Sequence, residues 1–359
     1  MSIQNNTNMN INKKDKIALI KRNLEKISKT SISIMEVCGT HTMSIAKFGI
    51  RSLLPPTINI ISGPGCPVCV TSATDIKTAI DMAKMKDVIV ATFGDMLKIP
   101  SQGDSLQNYS NVKIVYSPLD ALTLAQKNKD KHIIFLGIGF ETTTPLIAAT
   151  ILNAHKMSLT NFSVLSMHKL VPPALTAILK NPEHNLHAFI LPGHVSVITG
   201  SRYFNFLKEF KINGVISGFD DLEIMESIYI MVHDFENGIF DIKNNYSNVV
   251  SEDGNQKAFK TIFDVFEIDD SEWRGIGIIP GSGLKIKGEF ANFDAIKRFD
   301  YKKITIDEAP GCICGNILLG KAKPTECNFF EKHCTPSTPI GPCMVSSEGT
   351  CAAYFKYFL

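Results

Sequence analysis

Along this chain, short apolar runs alternate with longer stretches whose apolar positions return every three or four residues. The first such stretch puts Ile17, Ile20, Leu24 and Ile27 at i, i+3, i+7 and i+10, with lysines and Arg22 on the other faces. This predicts an amphipathic helix that must dock on something. From residue 58 the alternation becomes regular. Runs at 58–62, 88–91 and 112–116 read as strands. Ser72-x-x-Asp75 fits a capping box opening a helix with Ile76, Ile80 and Ala83 on one face, and 119–128 reads as a crossover helix. The pattern then restarts with strands at 133–136, 162–165, 188–191 and 214–217, and helices at 146–155 (opened by Pro145), 173–180 and about 222–235. Two consecutive series of strand–loop–helix units predict an α/β fold of two doubly wound, mainly parallel domains.

Beyond about residue 240 the texture changes. A polar seam over 236–256 (Glu236-Asn-Gly, Lys243-Asn-Asn, Ser251-Glu-Asp-Gly) reads as a linker. Phe259, Ile262, Phe263 and Phe266 then form a helical stripe, followed by Trp273, a Gly-rich strand region at 275–288 and a cysteine-dense tail. The expected organisation has four parts. Residues 1–37 form a tail, Asn-rich over 4–12, and a helix packed on the C-terminal domain. Residues 38–129 and 130–240 form the two α/β domains, and 241–359 a C-terminal α+β domain.

Composition narrows the function classes. A length of 359 residues suits two or three domains, and 44% hydrophobic with 20% charged residues excludes wholesale disorder. A net charge of +2 is too balanced for a nucleic-acid footprint spread over the chain. No apolar run approaches the length of a membrane span, and the first residues lack the apolar core of a secretory signal. The expectation is a soluble, cytoplasmic protein. Against that background the nine cysteines stand out. Structural disulfides are rare in a reducing cytosol, so clustered thiols there point to metal or redox chemistry. Cys38, Cys66 and Cys69 lie near the front, six more lie between Cys312 and Cys351, and none lies between the two groups.

Each group suggests its own chemistry. Cys66-Pro-Val-Cys69 follows a strand and a Gly-rich loop, Gly63-Pro-Gly, and precedes a helix. Free N–H groups at a helix start favour thiolate, so this pair could form a disulfide or hold a soft metal. Small residues in a tight turn are the structural alternative. Cys38-Gly-Thr-His41 offers a thiol and an imidazole that could share a metal, or a buried Cys beside a satisfied His. In the tail, Cys314, Cys327, Cys334 and Cys351 are separated by 12, 6 and 16 residues, leaving Cys312 and Cys343 over. No zinc-type C-x₂₋₄-C knuckle occurs there, and four spaced thiolates suit an iron–sulfur cube; zinc and a disulfide framework are the alternatives. Glu141, in Gly139-Phe-Glu-Thr-Thr143, and His168 and His194 each come just after a strand, where open α/β sheets place ligands. Gly137-x-Gly139 and Gly281-Ser-Gly283 read as turn glycines, without the lysine of a phosphate loop.

Taken together, Cys38-Gly-Thr-His41, Gly63-Pro-Gly-Cys-Pro-Val-Cys69, Gly139-Phe-Glu-Thr-Thr143, the C-x₁₂-C-x₆-C-x₁₆-C tail and Ser346-Ser-Glu-Gly349 strongly resemble the HypD family. The resemblance runs from about residue 30 to the C-terminus. It implies a scaffold more than a turnover enzyme, one that serves the maturation of [NiFe] hydrogenases. With a HypC-like small chaperone it would hold iron while two cyanides and one carbon monoxide are attached. Cyanide would come from a HypE-like thiocyanate donor, and the finished group would pass to the hydrogenase large subunit. By matching motif, Cys38 would be the iron ligand with His41 close by, and Cys66 and Cys69 the neighbouring redox dithiol. Cys314, Cys327, Cys334 and Cys351 would hold a [4Fe-4S] cluster. Cys312 and Cys343 could form a relay disulfide beside it, as in ferredoxin:thioredoxin reductase. Glu141, His194 and Glu348 could act as acids or orient the cysteines. Two other readings remain: an iron–sulfur-dependent thiol–disulfide oxidoreductase acting on a protein disulfide, which would not need Cys38, and a small-molecule- or nucleotide-binding α/β protein with a structural metal tail.

Overall fold

A computed structural model describes residues 12–358. The Asn-rich stretch lies outside these residues except for Asn12, whose side chain accepts from the Asp15 N–H and caps the first helix, Lys13–Ile27. The strands in chain order are β1 (Ile32–Glu36), β2 (Ile58–Ser62), β3 (Val88–Thr92), β4 (Val112–Ile114), β5 (His132–Gly137) and β6 (Phe162–Ser166). They continue as β7 (Ala188–Pro192), β8 (Asn213–Ser217), β9 (Ile242–Asn244), β10 (Phe266–Trp273) and β11 (Gly277–Ile286). One sheet has the order β2-β1-β7-β8-β9 and a second the order β4-β3-β5-β6, with every pairing parallel. β10 and β11 form a separate antiparallel hairpin. Each residue of β1, β7 and β8 is buried, as parallel strands covered by helices on both faces require.

The α/β fold class with two parallel sheets is as expected, but the sheets are not consecutive in the chain. β3 to β6 form the second sheet as one insertion between β2 and β7, so a boundary at 129/130 would cut through it. Alternation of strands and helices tells how many units exist and leaves open which strands become neighbours. Three strands lie where none was expected. β1 ends two residues before Cys38, β9 falls inside the polar seam as a three-residue edge strand paired to β8, and β10 begins at Phe266, where the helical stripe was expected to continue.

The N-terminal helix packs on the helix Asp221–Glu236, on the first sheet, and not on the C-terminal segment. Its Leu24 is buried in one core with Ile224, Met225 and Ile228, and Lys13 pairs with Asp220 and Asp221 at the other helix's start. Glu236 closes the other end by accepting from the N–H groups of Lys29 and Thr30. Phe259, Ile262 and Phe263 of the expected stripe do lie on a helix, Gln256–Val265, packed on the helix Thr144–Lys156 of the second sheet, while Phe266 begins β10. After the hairpin come loops and short helices that carry six cysteines. The last helix, Thr350–Tyr357, lies against the helix Gly39–Lys47 that follows β1, so the tail returns to the front of the chain. Among the described residues no helix is long and apolar enough to cross a membrane.

Candidate functional site

In the first sheet the chain runs outward from β1 to β2 on one side and from β7 to β8 and β9 on the other. The strand order therefore reverses between β1 and β7, and the crevice at their C-terminal ends is where such sheets bind ligands. Cys38 sits there, capping the helix Gly39–Lys47. His194 follows β7, and Gly218 and Phe219 follow β8. Cys38 is 8% exposed, and its N–H donates to Glu36 Oε2 at 3.2 Å. Glu36 is fully buried and also accepts from the Thr42 hydroxyl at 2.5 Å; burial pushes its carboxyl up to about 7. Burial, together with the charge of Glu348, pushes the Cys38 thiol up to about 12. It is therefore held as S–H, and binding a metal would release that proton.

His41 is buried, and its Nε2 lies 2.9 Å from the Gly218 carbonyl oxygen. A carbonyl can only accept, so Nε2 carries the proton and Nδ1 is a bare lone pair, with no partner among the described residues. Burial lowers the imidazole to about 4, so it stays neutral. A thiol and a neutral imidazole with a free lone pair are a donor set for a soft or borderline metal. His41 and the exposed His194 both stack on Phe219, at 4.7 and 4.2 Å. Glu348 reaches in from the tail and accepts from the Thr40 hydroxyl at 2.8 Å.

The loop after β2 is pressed against the loop after β1. A Cβ on Gly65 would lie 2.2 Å from the Cys38 nitrogen, and the Gly39 N–H donates to the Gly65 carbonyl at 3.1 Å. Gly65 thus joins the two cysteine motifs. Cys66 caps the short helix Pro67–Val70, and its sulfur accepts the Cys69 N–H at 3.2 Å. That helix is a single turn, with little dipole to offer. Cys69 is fully buried, and burial pushes its thiol well up. The expectation of a helix-stabilised thiolate therefore fails at Cys69, because desolvation outweighs one turn of backbone dipoles.

The tail cysteines meet as a group. Cys312, Cys314, Cys327, Cys334, Cys343 and Cys351 line one small cavity with Ile317, Phe329, Phe330, Ile340 and Met344, and without any carboxylate or imidazole. Among the described residues no three His, Cys, Asp or Glu side chains converge on a point as a single-ion site demands. A cube takes each thiolate on a different iron, so it wants thiols spread round a cavity, and this set fits it better than zinc. Cys343 lies 2.7 Å from Cys314, sulfur to sulfur, and its short helix Pro342–Val345 packs on Pro67–Val70, which carries Cys69, and on the last helix, which carries Cys351. Cys312 and Cys343, the two left over from the four-cysteine spacing, line the same cavity as Cys314. Cys69 and Cys343 connect the front motif to the tail cavity.

Ser346-Ser-Glu-Gly349 ties the groups together. Ser346 accepts from the Cys66 thiol at 3.4 Å while Glu348 reaches Thr40. Gly39 leaves room for this, since a Cβ there would lie 2.5 Å from the Glu348 Cβ. Glu141 is elsewhere. It follows β5 and accepts from the Val171 N–H (3.0 Å) and the Tyr203 hydroxyl (2.8 Å), with no hydrogen bond to a cysteine. His168 is an interior histidine: the Ser166 hydroxyl donates to the Leu284 carbonyl and so accepts from His168 Nδ1 at 2.9 Å. Ser282, between Gly281 and Gly283, accepts the Trp273 indole N–H at 2.8 Å, so that turn serves packing. Sequence reasoning missed Glu36, Phe219 and Asp95, whose carboxylate accepts from Ser346. Asp95 follows β3 as Glu141 follows β5, so the strand-end rule that singled out Glu141 applies to it equally.

Residues 13–358 match the family HypD, described as "Hydrogenase formation hypA family". The chain is 43% identical over 336 residues to hydrogenase maturation factor HypD2 of Bradyrhizobium diazoefficiens, covering 90% of this chain and 88% of that protein. It is 41% identical to HypD of Cupriavidus necator (90% and 89% covered) and 40% identical to HypD of Escherichia coli (93% and 91% covered). With a match spanning nearly every described residue and relatives of this similarity, the chain belongs to the HypD family of hydrogenase maturation factors.

Proposed function

We propose that this chain is the scaffold on which the Fe(CN)₂CO group of [NiFe] hydrogenases is assembled, and that its cysteines also carry the electrons assembly needs. The iron, as cargo, would be held by Cys38 together with a HypC-like chaperone, with the bare Nδ1 of His41 on the same motif. A HypE-like thiocyanate donor would deliver cyanide, and the finished group would leave for the hydrogenase large subunit. Cys314, Cys327, Cys334 and Cys351 would hold a [4Fe-4S] cluster, which supplies electrons one at a time when bound. Cys66 and Cys69 would exchange a pair, with Cys343 between them and the tail.

One observation carries this reading: the three cysteine groups are continuous. Cys38 abuts Gly65 of the CPVC loop, the turn of helix that carries Cys69 packs on the one that carries Cys343, and Cys343 touches Cys314. A thiol–disulfide oxidoreductase would use the Cys69–Cys343–Cys314 part alone. It would leave unexplained why Cys38 and a neutral imidazole whose Nδ1 has no partner among the described residues sit at the crevice of the first sheet. The two readings separate by infrared spectroscopy of the anoxic complex with its chaperone. Cyanide and carbon monoxide stretching bands should be present in the parent chain and absent in Cys38→Ala. Bands that persist without Cys38 would overturn the scaffold reading.

A further inference from the structure

We propose that Ser346 and Asp95 form a proton relay that makes Cys66 the attacking thiol of the Cys66/Cys69 pair. The proposal rests on the reading of that pair as a redox dithiol. Asp95 lies three residues beyond β3, where the strand order of the second sheet reverses between β3 and β5. It is half-buried, and its Oδ2 accepts from the Ser346 hydroxyl at 3.4 Å and from the Ser347 N–H and hydroxyl at 3.4 and 3.2 Å. Ser346 is 1% exposed. Its oxygen accepts from the Cys66 thiol (3.4 Å) and the Glu348 N–H (3.2 Å), while its one proton goes to Asp95. A hydroxyl has one donor and two lone pairs, and all three are used here. The direction is thereby fixed: Cys66 S–H to Ser346 O–H to the Asp95 carboxylate.

The two thiols of the pair are placed unequally. Both are buried, Cys66 at 4% exposed and Cys69 completely, but Cys69 packs beside the helix of Cys343, where burial holds its proton on. Cys66 has a path for its proton toward a half-exposed carboxylate. When that proton leaves, the Cys69 N–H already aimed at its sulfur remains to steady the charge. In exchange with a disulfide R–S–S–R, the Cys66 proton passes to Ser346 Oγ while the Ser346 proton passes to Asp95. The Cys66 sulfur bonds to one substrate sulfur as the R–S–S–R bond breaks, and the departing R–S⁻ takes a proton from water while Asp95 returns its own to solvent. The Cys69 thiol then attacks the Cys66 sulfur, and its proton leaves with the second R–S⁻ as R–SH. Two electrons leave the cysteine pair, which becomes a disulfide, and the substrate ends as two thiols.

The test follows oxidation of the full-length, anoxically purified chain by oxidised glutathione over a series of pH values, with mass spectrometry locating the mixed disulfide. In Asp95→Asn and in Ser346→Ala, mixed-disulfide formation at Cys66 should slow on the order of ten-fold or more near neutral pH. The pH–rate profile should be displaced upward and meet the parent chain at alkaline pH, and Asp95→Glu should recover most of the rate. A folding defect would slow the reaction at every pH and lower the melting temperature. An unchanged rate and profile in either variant overturns the relay. Failure of the parent chain to form a Cys66–Cys69 disulfide at any pH would instead overturn the redox-dithiol reading, and the relay with it.

Discussion

Glu141 and Glu36 carry the buried carboxyls whose protonation the fold sets most strongly. Burial raises Glu141 from its ordinary 4.5 to about 7, against the opposing pull of the Val171 N–H and the Tyr203 hydroxyl. Below about pH 4.5 the folded and unfolded chains both hold the proton, and the contribution to stability is fully present. Between about 4.5 and 7 the unfolded chain has released a proton that the folded chain keeps, so stability falls as pH rises through that window. The loss is at most roughly 3 kcal/mol, from about 1.4 kcal/mol per pH unit. Glu141→Gln keeps an acceptor oxygen for both partners and cannot ionise. Urea unfolding should therefore find it equal to the parent chain near about pH 4 and more stable by about 1–3 kcal/mol near about pH 8. An identical pH slope in both chains would contradict this. Cysteines in motifs were legible because their spacing is itself a pattern. Glu36 and Asp95 were not, since a single carboxylate shows nothing until the strands around it place it next to Cys38 or Ser346.

At the scale of elements, two loops touch because one residue lacks a side chain. A Cβ at position 65 would come within 2.2 Å of the Cys38 nitrogen and 2.3 Å of the Val37 carbonyl carbon, both backbone atoms that cannot swing away. Gly65→Ala should cost about 2–4 kcal/mol and push the CPVC loop off Cys38, so thermal unfolding should show a marked loss. Gly288→Ala, at a position with no atom of the described residues within 4 Å of an added Cβ, should stay within about 0.5 kcal/mol. Equal melting temperatures for the two would show that the loops do not need that close approach. Most elements were legible from periodicity, as with the helix Asp221–Glu236 expected over about 222–235. β9 was hidden because three half-buried residues at a sheet edge carry no apolar signal, and its neighbours are polar.

At the scale of the molecule, the chain builds one sheet, interrupts it to build another, completes the first, and then sends its tail back across both. A continuous apolar core holds Cys66 and Cys69 together with Phe140, Trp273, Cys314 and Cys343. Alternation along the sequence could not show this, because a parallel pairing such as β1 with β7 joins segments more than 150 residues apart in the chain. The fold brings together Cys38, the Cys66/Cys69 pair and the tail cysteines, which we propose hold iron, exchange an electron pair and bind a cluster on one scaffold. The most direct test measures iron, zinc and acid-labile sulfide in the anoxic complex with the proposed HypC-like chaperone, parent chain beside Cys38→Ala. The account predicts iron in excess of sulfide in the parent chain and iron equal to sulfide once Cys38 is gone. Zinc without sulfide, or an iron-to-sulfide ratio unchanged by Cys38→Ala, would contradict it.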